Sequence, residues 1–437
     1  MATSDVAPRT GATCPVSQLA SEFNPFVDPY LADPYEFLAR ARIEEPVFHS
    51  PELDYYVVTR YEDIRAVFRD TEHFSATIAL EPLTPLYPSS IEKVADVGYV
   101  PGPVLVNEDE PIHRARRKRI GEKFSPKRVR ELEPRIRSIV TDYLDRFAAL
   151  GHADLVDDFV WEIPALVIFM FLGVPDDEAP LVKRFAARRT LFTWGRPTER
   201  EQNELVAEIG EYWDYCKSHV ARLKANLSDD FMSDVIRVHL EDPELIDEVY
   251  LYNTMLNFLF AGHETTTYAS SNAFRALLEH REAWDQLCAD PSLIPNAVEE
   301  MLRHTSSVIA WRRRALAGTS VGGVDIPEGA KVLLVTGSGN HDDEVFPDGG
   351  TIDISRANAS RHIAFGFGNH TCMGAPLARL EMRIILEELT RRLPHIRLVE
   401  GQRFQYSPNT SFRGPDHVLV EWDPSRNPVS ADRPGGS

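Results

Sequence analysis

Little in this sequence could cross-link it. Its 437 residues include four cysteines, Cys14, Cys216, Cys288 and Cys372, far apart and without a CxxC pair. Neither a disulfide framework nor a zinc site follows, and a reducing cytoplasm is the expected compartment. Long apolar runs are also missing. The longest uncharged stretch, residues 163–175, is too short to span a bilayer and reads as a buried helix. The opening residues, MATSDVAPRTGATCPVSQ, lack the apolar core of a secretory signal. Positive charge is in deficit: 47 Lys and Arg face 67 Asp and Glu, a formal net charge of −20. That balance argues against nucleic acid or an anionic membrane as a partner. No internal repeat or low-complexity linker divides the chain.

What remains is an ordinary globular composition, 43% hydrophobic and 26% charged, with ample material for a core. Residues 1–21 are expected to form a flexible leader, 22–423 a single domain, and the Pro-, Ser- and Gly-rich 424–437 a flexible tail. Strand signals are few, at 46–49, 55–59, 331–335 and 418–422. Helical periodicity covers 34–42, 125–150, 176–193, 200–224, 247–280 and 375–393. The expected fold class is mainly α with a small β-sheet region.

The segment 247–280 would run about 50 Å as one helix. Its first half, with Val249, Leu251, Met255, Leu256, Phe258, Leu259 and Phe260, is apolar on more than one face and is expected to be buried. Gly262, His263, Glu264, Thr265, Thr266 and Thr267 follow inside that stretch. Glycine and a threonine run weaken a helix, because threonine hydroxyls compete for backbone carbonyls. A polar, distorted turn there is costly unless something uses it. It is either a buried hydrogen-bond network, an exposed turn, or a functional element.

Near the C-terminus stands Phe365-Gly-Phe-Gly368-Asn-His-Thr-Cys372-Met-Gly374, an F-x-x-G-x-x-x-C-x-G pattern. A lone cysteine is usually a small buried hydrophobe. Here the pattern resembles the cytochrome P450 family, in which such a cysteine ligates a haem iron as thiolate. Gly368 and Gly374 are expected to let the loop turn tightly and the backbone approach the macrocycle. A helix opening at Ala375, with Pro376 in its first turn, is expected to aim its positive end at the sulfur and lower the thiol pKa. Phe365 would shield the loop from water.

The resemblance covers about residues 23–423 and implies further roles. Glu300 and Arg303, i and i+3 on one helix face, would form a buried network with Arg356 that braces the cysteine loop. His113 and Arg117, one helical turn apart, with Arg313 and His370, would hold the haem propionates. Spacing leaves Arg312 and Arg314 open as alternatives to Arg313. Glu264 followed by Thr265 is similar to the acid–threonine pair beside the iron, with Thr265 holding a hydroxyl or water and Glu264 relaying protons. The implied cofactor is haem b. The implied reaction inserts one oxygen atom from O2 into a substrate, as hydroxylation or O-dealkylation. Met373 follows the cysteine where Leu is commoner, and Asn340-His-Asp stands where Asn-Arg-Asp is usual.

Candidate pocket residues are Phe192, Trp194, Phe260, Ala261, Val308, Ile309 and Phe412, with the loop 78–99, so a small apolar or aromatic substrate is expected. Electrons would come from an acidic ferredoxin with an NAD(P)H-dependent reductase. Its landing surface would be the basic run Arg114, Arg116, Arg117, Lys118, Arg119, Lys123, Lys127, Arg128 and Arg130. The turn 411–415 and the Cys-Pro-Val leader are similar to bacterial relatives fused to a reductase. The chain would then be an unfused relative or an excised haem domain. Two rival readings are a peroxide-driven P450, which normally lacks the acid–threonine pair, and a non-catalytic haem sensor, which needs no proton relay.

Overall fold

Helices form where the apolar periodicity is strongest, and a small sheet packs at one side of them. The computed structural model describes residues 16–178 and 189–428. The helices that position the site are α1 (Tyr61–Arg69), α2 (Ile112–Ile120), α3 (Ile163–Phe171), α4 (Arg189–Trp194), α5 (Glu199–Ala225), α6 (Glu248–Glu279), α7 (Ile294–His304) and α8 (Ala375–Arg392). Local chemistry sets their ends. The Asp247 side chain accepts from the Tyr250 amide at the start of α6. Thr198 and Glu201 form a reciprocal capping box at the start of α5. Pro376 occupies the first turn of α8, where its missing N–H costs nothing.

The main sheet has the order β1-β2-β5-β4-β3, from β1 (Val47–Ser50), β2 (Tyr55–Val58), β3 (Phe74–Ser75), β4 (Trp311–Ala315) and β5 (Lys331–Leu334). Only the β2–β5 pairing is parallel; the others are antiparallel. A second sheet joins His152–Asp154, Leu419–Glu421 and Arg397–Leu398. Strand β4 was not expected, because three consecutive arginines hide its alternation. Arg313 is paired with Val332 in the sheet while Arg312 and Arg314 point to the opposite face.

The expected helix over 125–150 is two helices, Pro126–Arg130 and Glu133–Phe147. Pro134, in the first turn of the second, cannot donate to the turn before it. Of the expected helix over 176–193, Asp176–Glu178 is a 3-10 turn and Arg189–Trp194 is α4; residues 179–188 lie outside the described residues. Part of the expected leader is folded. Gln18–Glu22 is a short helix capped by Ser17, and Leu19 and Ala20 are buried. Cys14 and the rest of residues 1–15, like 429–437, lie outside the described residues. No described helix is long and apolar enough to cross a membrane.

At the centre, α6 packs closely on α3. A Cβ built at Gly262 would come within 2.5 Å of the Ile168 side chain. The glycine therefore serves packing, and α6 continues through it as regular helix.

Candidate active site

The loop before α8 turns at two glycines with left-handed backbone, Gly366 and Gly368, both at φ +71°. A side chain at Gly368 would meet the Phe68 carbonyl oxygen at 3.0 Å, so this residue lets the loop lie against α1. Gly368 does not line the cavity described below; Gly366 and Gly374 do. Gly374 has an ordinary φ of −74°, so the tight turn expected there belongs to Gly366, which the sequence reading passed over. The Cys372 amide donates to the Phe365 carbonyl at 2.9 Å, closing the loop. The Arg379 guanidinium lies over the Phe365 ring at 4.7 Å.

The Cys372 sulfur opens onto a cavity of about 260 Å³. Burial pushes the Cys372 thiol up. The Gly374 amide, the Arg117 charge, the Ala375 amide and the Arg379 charge oppose it. The expected lowering is thus reversed: the amides are aimed at the sulfur, but burial outweighs them.

One edge of this cavity is cationic. Arg117, Arg313 and His370 all line it. Of the three candidate arginines, Arg313 alone faces inward. Arg312 is buried behind the strand, donating to the Ala79 carbonyl at 2.9 Å, and Arg314 pairs with Glu81 at 3.2 Å. Burial brings Arg313 down to about 10, while Asp109 pulls the other way. His113 stacks on His370 with ring centroids 4.0 Å apart. Burial, then the Arg313 charge, brings His370 to about 3, and burial likewise lowers His113, so both rings are neutral at pH 7. Nε2 of His113 and Nδ1 of His370 are buried without a hydrogen-bond partner. Two guanidiniums and the unpaired His370 nitrogen in the lining, with His113 outside it but stacked on His370, fit a buried carboxylate-bearing group.

The polar turn of α6 divides by direction. His263 bonds the Trp161 carbonyl at 2.8 Å and Thr267 the Val160 carbonyl at 3.0 Å, which ties α6 to the chain before α3. Thr265 lines the cavity, and its hydroxyl donates to the Ala261 carbonyl at 2.8 Å. Glu264 turns the other way. It is buried, lies outside the cavity lining, and accepts a hydrogen bond from the Thr190 hydroxyl of α4. Burial raises its carboxyl to about 7, against the opposing pull of Thr190 and of the Arg189 charge. The turn therefore divides between a buried hydrogen-bond network at His263, Glu264 and Thr267 and a cavity-lining hydroxyl at Thr265.

Another part of the lining is an aromatic and aliphatic cluster. Of the seven pocket candidates it includes Trp194, Phe260, Ala261, Val308 and Phe412, and Trp311 joins them. Trp194 stacks on Phe260 at 5.7 Å and leans on Phe412 at 4.5 Å. Phe192 and Ile309 are not in the lining. Ile309 is buried against Gly337, with its amide bonded to the Ser411 carbonyl. Apolar character does not reveal which face a residue presents.

Beneath the loop, Glu300 and Arg303 form a fully buried bidentate pair, both bonds 2.7 Å. Arg356 joins Glu300 at 3.2 Å. Arg303 also donates to the Asn340 carbonyl, and the Asn340 side chain accepts from the Ile363 amide, both at 2.7 Å. The brace reaches the cysteine loop through Asn340, a residue to which the sequence reading gave no role.

The basic run is largely neutralised. Arg116 pairs with Glu108, Arg119 with Glu241, Lys123 with Asp229 and Asp234, and Arg128 with Asp229 and Glu131. Lys118, Lys127 and Arg130 are exposed, with no ion pair among the described residues. The end of α2 borders the cysteine loop: Arg117 bonds the Thr371 carbonyl, and Gly121 lies against the Met373 sulfur.

A family model described as "Cytochrome P450" matches residues 290–400. The chain is 32% identical over 388 residues to "Cytochrome P450(MEG)" of Priestia megaterium, covering 87% of this chain and 92% of that protein. The fold superposes on the crystal structure of an intact type IV self-sufficient cytochrome P450 monooxygenase with a TM-score of 0.93 and 48% identity. That match covers 97% of this chain but only 56% of the longer one, so the chain spans little more than half its length. Cytochrome P450 CREJ in complex with (4-ethylphenyl) dihydrogen phosphate matches with a TM-score of 0.89 and 37% identity, over 92% of this chain and all of that one.

Proposed function

The chain belongs to the cytochrome P450 family of haem b monooxygenases, and on that premise we propose that Cys372 ligates the iron and that the substrate is a small apolar or aromatic molecule. The observation carrying this reading is that Cys372, His370, Arg117 and Arg313 share the cavity lining, with His113 stacked on His370 and one nitrogen of each ring unpaired. Those four residues would hold the propionates, and Phe365, Gly366 and Gly374 would pack the loop beneath the macrocycle. Bound haem would supply the activation of O2, one atom of which enters the substrate while the other leaves as water.

The protein's part is binding, exclusion of water and proton handling. Trp194, Phe260, Val308, Trp311 and Phe412 form a wall that favours an apolar or aromatic substrate and excludes bulk water. CREJ, a relative of similar shape, is seen with an aryl phosphate, which supports an aromatic ring in this class of pocket. The Thr265 hydroxyl spends its hydrogen on Ala261, so its oxygen accepts from a water or substrate group in the cavity. Glu264, at about 7, exchanges its proton readily at neutral pH. The products of this scheme are hydroxylated or O-dealkylated substrates.

Electrons would arrive from an external acidic ferredoxin with its NAD(P)H-dependent reductase. The exposed Lys118, Lys127 and Arg130, beside the end of α2 that borders Met373, form the cationic landing surface. The test is a panel of neutral aromatic, aliphatic and strongly polar compounds, scored by the low-to-high-spin shift in wild type and Phe260→Ala. Apolar aromatics should give the largest shifts, weakened several-fold in the variant. A shift seen only with polar compounds would overturn the substrate class.

A further inference from the structure

Among the described residues that line the cavity, one carries a side-chain amide, Asn257 of α6. Asn257, Ala261 and Thr265 all line it, and their spacing of four residues puts them on one face of the helix. Asn257 stands two turns before Thr265, about 12 Å along the axis. Its amide is held from both ends. Oδ1 accepts from Nη2 of Arg189, on α4, at 2.9 Å, and Nδ2 donates to the Asn253 carbonyl at 2.8 Å. A guanidinium only donates, so the amide has one orientation, and the second hydrogen on Nδ2 is left for a ligand. Asn253 is itself anchored, donating to the Val100 and Val249 carbonyls, each at 3.0 Å.

Behind this amide stands an uncompensated charge. Nη1 of Arg189 is buried without a hydrogen-bond partner, and the guanidinium lies 5.7 Å from the centre of the Phe260 ring. Arg189 has no ion pair among the described residues. The acids that feel its charge are Tyr99, Tyr212, Cys216 and Glu264, and burial pushes every one of them up. None of them brings a full negative charge at pH 7. A cation left in this way is costly unless an anion joins it.

We propose that Asn257, oriented and polarised by Arg189, is a specificity-determining donor of the site, and that the substrate is an aromatic molecule whose carboxylate accepts from it. This deepens the substrate reading above and rests on it. The carboxylate sits at Asn257, the ring lies along Phe260, and the carbon to be oxidised is at the Thr265 end of the same helix face. Arg189 draws electron density from the Asn257 carbonyl and so strengthens its N–H as a donor to an anion. Its positive charge also favours an anionic ligand over a neutral one of the same shape. The apolar wall ranks ligands by size and area; this pair of residues adds a choice by charge.

The test titrates the holoenzyme, by its low-to-high-spin shift, with three probes of one shape. They are 4-methoxycinnamate, its primary amide, and trans-anethole, which has a methyl in place of the carboxylate. Wild type should bind the carboxylate about tenfold more tightly than trans-anethole. Asn257→Leu should remove that preference and leave trans-anethole binding as it was. Asn257→Asp should reverse it, because the new carboxylate repels the acid and accepts from the amide probe. Arg189→Gln keeps a donor for Asn257 without the charge, and should cut the carboxylate preference several-fold. A merely structural role for either residue would move all three probes together. Equal binding of carboxylate and trans-anethole by wild type would overturn the proposal, even if no variant folded. So would a preference that survived Asn257→Leu. Those results would leave the haem–thiolate reading standing, whereas loss of the thiolate-type CO spectrum in wild type would sink that reading and this proposal with it.

Discussion

The Thr190 hydroxyl donates a hydrogen bond to Oε2 of Glu264, joining α4 to the middle of α6 behind the cavity wall. The bond favours the ionised acid and burial favours the neutral one; burial wins, leaving the carboxyl at about 7 from an ordinary 4.5. The folded protein therefore holds this proton more tightly than the unfolded chain does. The stability tied to it is fully present below about 4.5 and is lost as pH rises through about 7. Between about pH 5 and pH 8, wild type should lose on the order of 3 kcal/mol relative to Glu264→Gln. Thr190→Val, which removes the opposing bond, should move that loss to higher pH. Urea melts across this range check it; parallel pH profiles for wild type and Glu264→Gln would contradict the assignment.

Thr265→Ala should uncouple the reaction without stopping electron uptake. NAD(P)H consumption continues, hydrogen peroxide is released, and product per NAD(P)H falls, because the hydroxyl proposed to hold a cavity water is gone. Glu264→Gln should slow overall turnover instead, since an amide cannot donate a proton at pH 7. A purely structural turn predicts reduced stability with unchanged coupling. Product measured against NAD(P)H and O2 consumed separates the two.

Charge reversal at Lys118 or Lys127 should slow reduction by an acidic ferredoxin several-fold at low ionic strength. The difference should shrink as salt rises, and substrate affinity should stay as it was. Lys123→Glu is a poor probe of docking, because Lys123 is buried against Asp229 and its reversal should lower the melting temperature. Stopped-flow reduction rates that ignore both mutation and salt would remove this face as the landing site.

Gly262→Ala places a methyl within 2.5 Å of Ile168 and should destabilise the fold by about 1–3 kcal/mol. If the glycine served only to soften the helix, the same change should stabilise it. Denaturant midpoints of the variant and wild type decide between these signs.

The long helix and the cysteine loop were legible because both carry strong local signals. Residues 247–280 frame α6 to within a residue at each end, since its cap and apolar faces are written in sequence. Directions were not legible. Glu264 and Thr265 are adjacent letters, yet one faces α4 and the other the cavity. Three arginines in a row became distinguishable once β4 assigned alternate faces to them. Phe192 and Ile309 read as pocket residues only because apolar character is shared by core and pocket. Asn340 was passed over because a polar residue reads as surface until packing buries it. The expected low thiol pKa failed for a related reason: the helix start is visible in sequence, while the burial that outweighs it is not.

The central claim is that Cys372 ligates the iron as thiolate, and the reduced, CO-bound absorption spectrum tests it most directly. Wild type should show the thiolate-type Soret band, and Cys372→His should lose it while haem binding by His113, Arg117, Arg313 and His370 survives. A variant that kept both that band and full turnover would show that Cys372 is not the ligand.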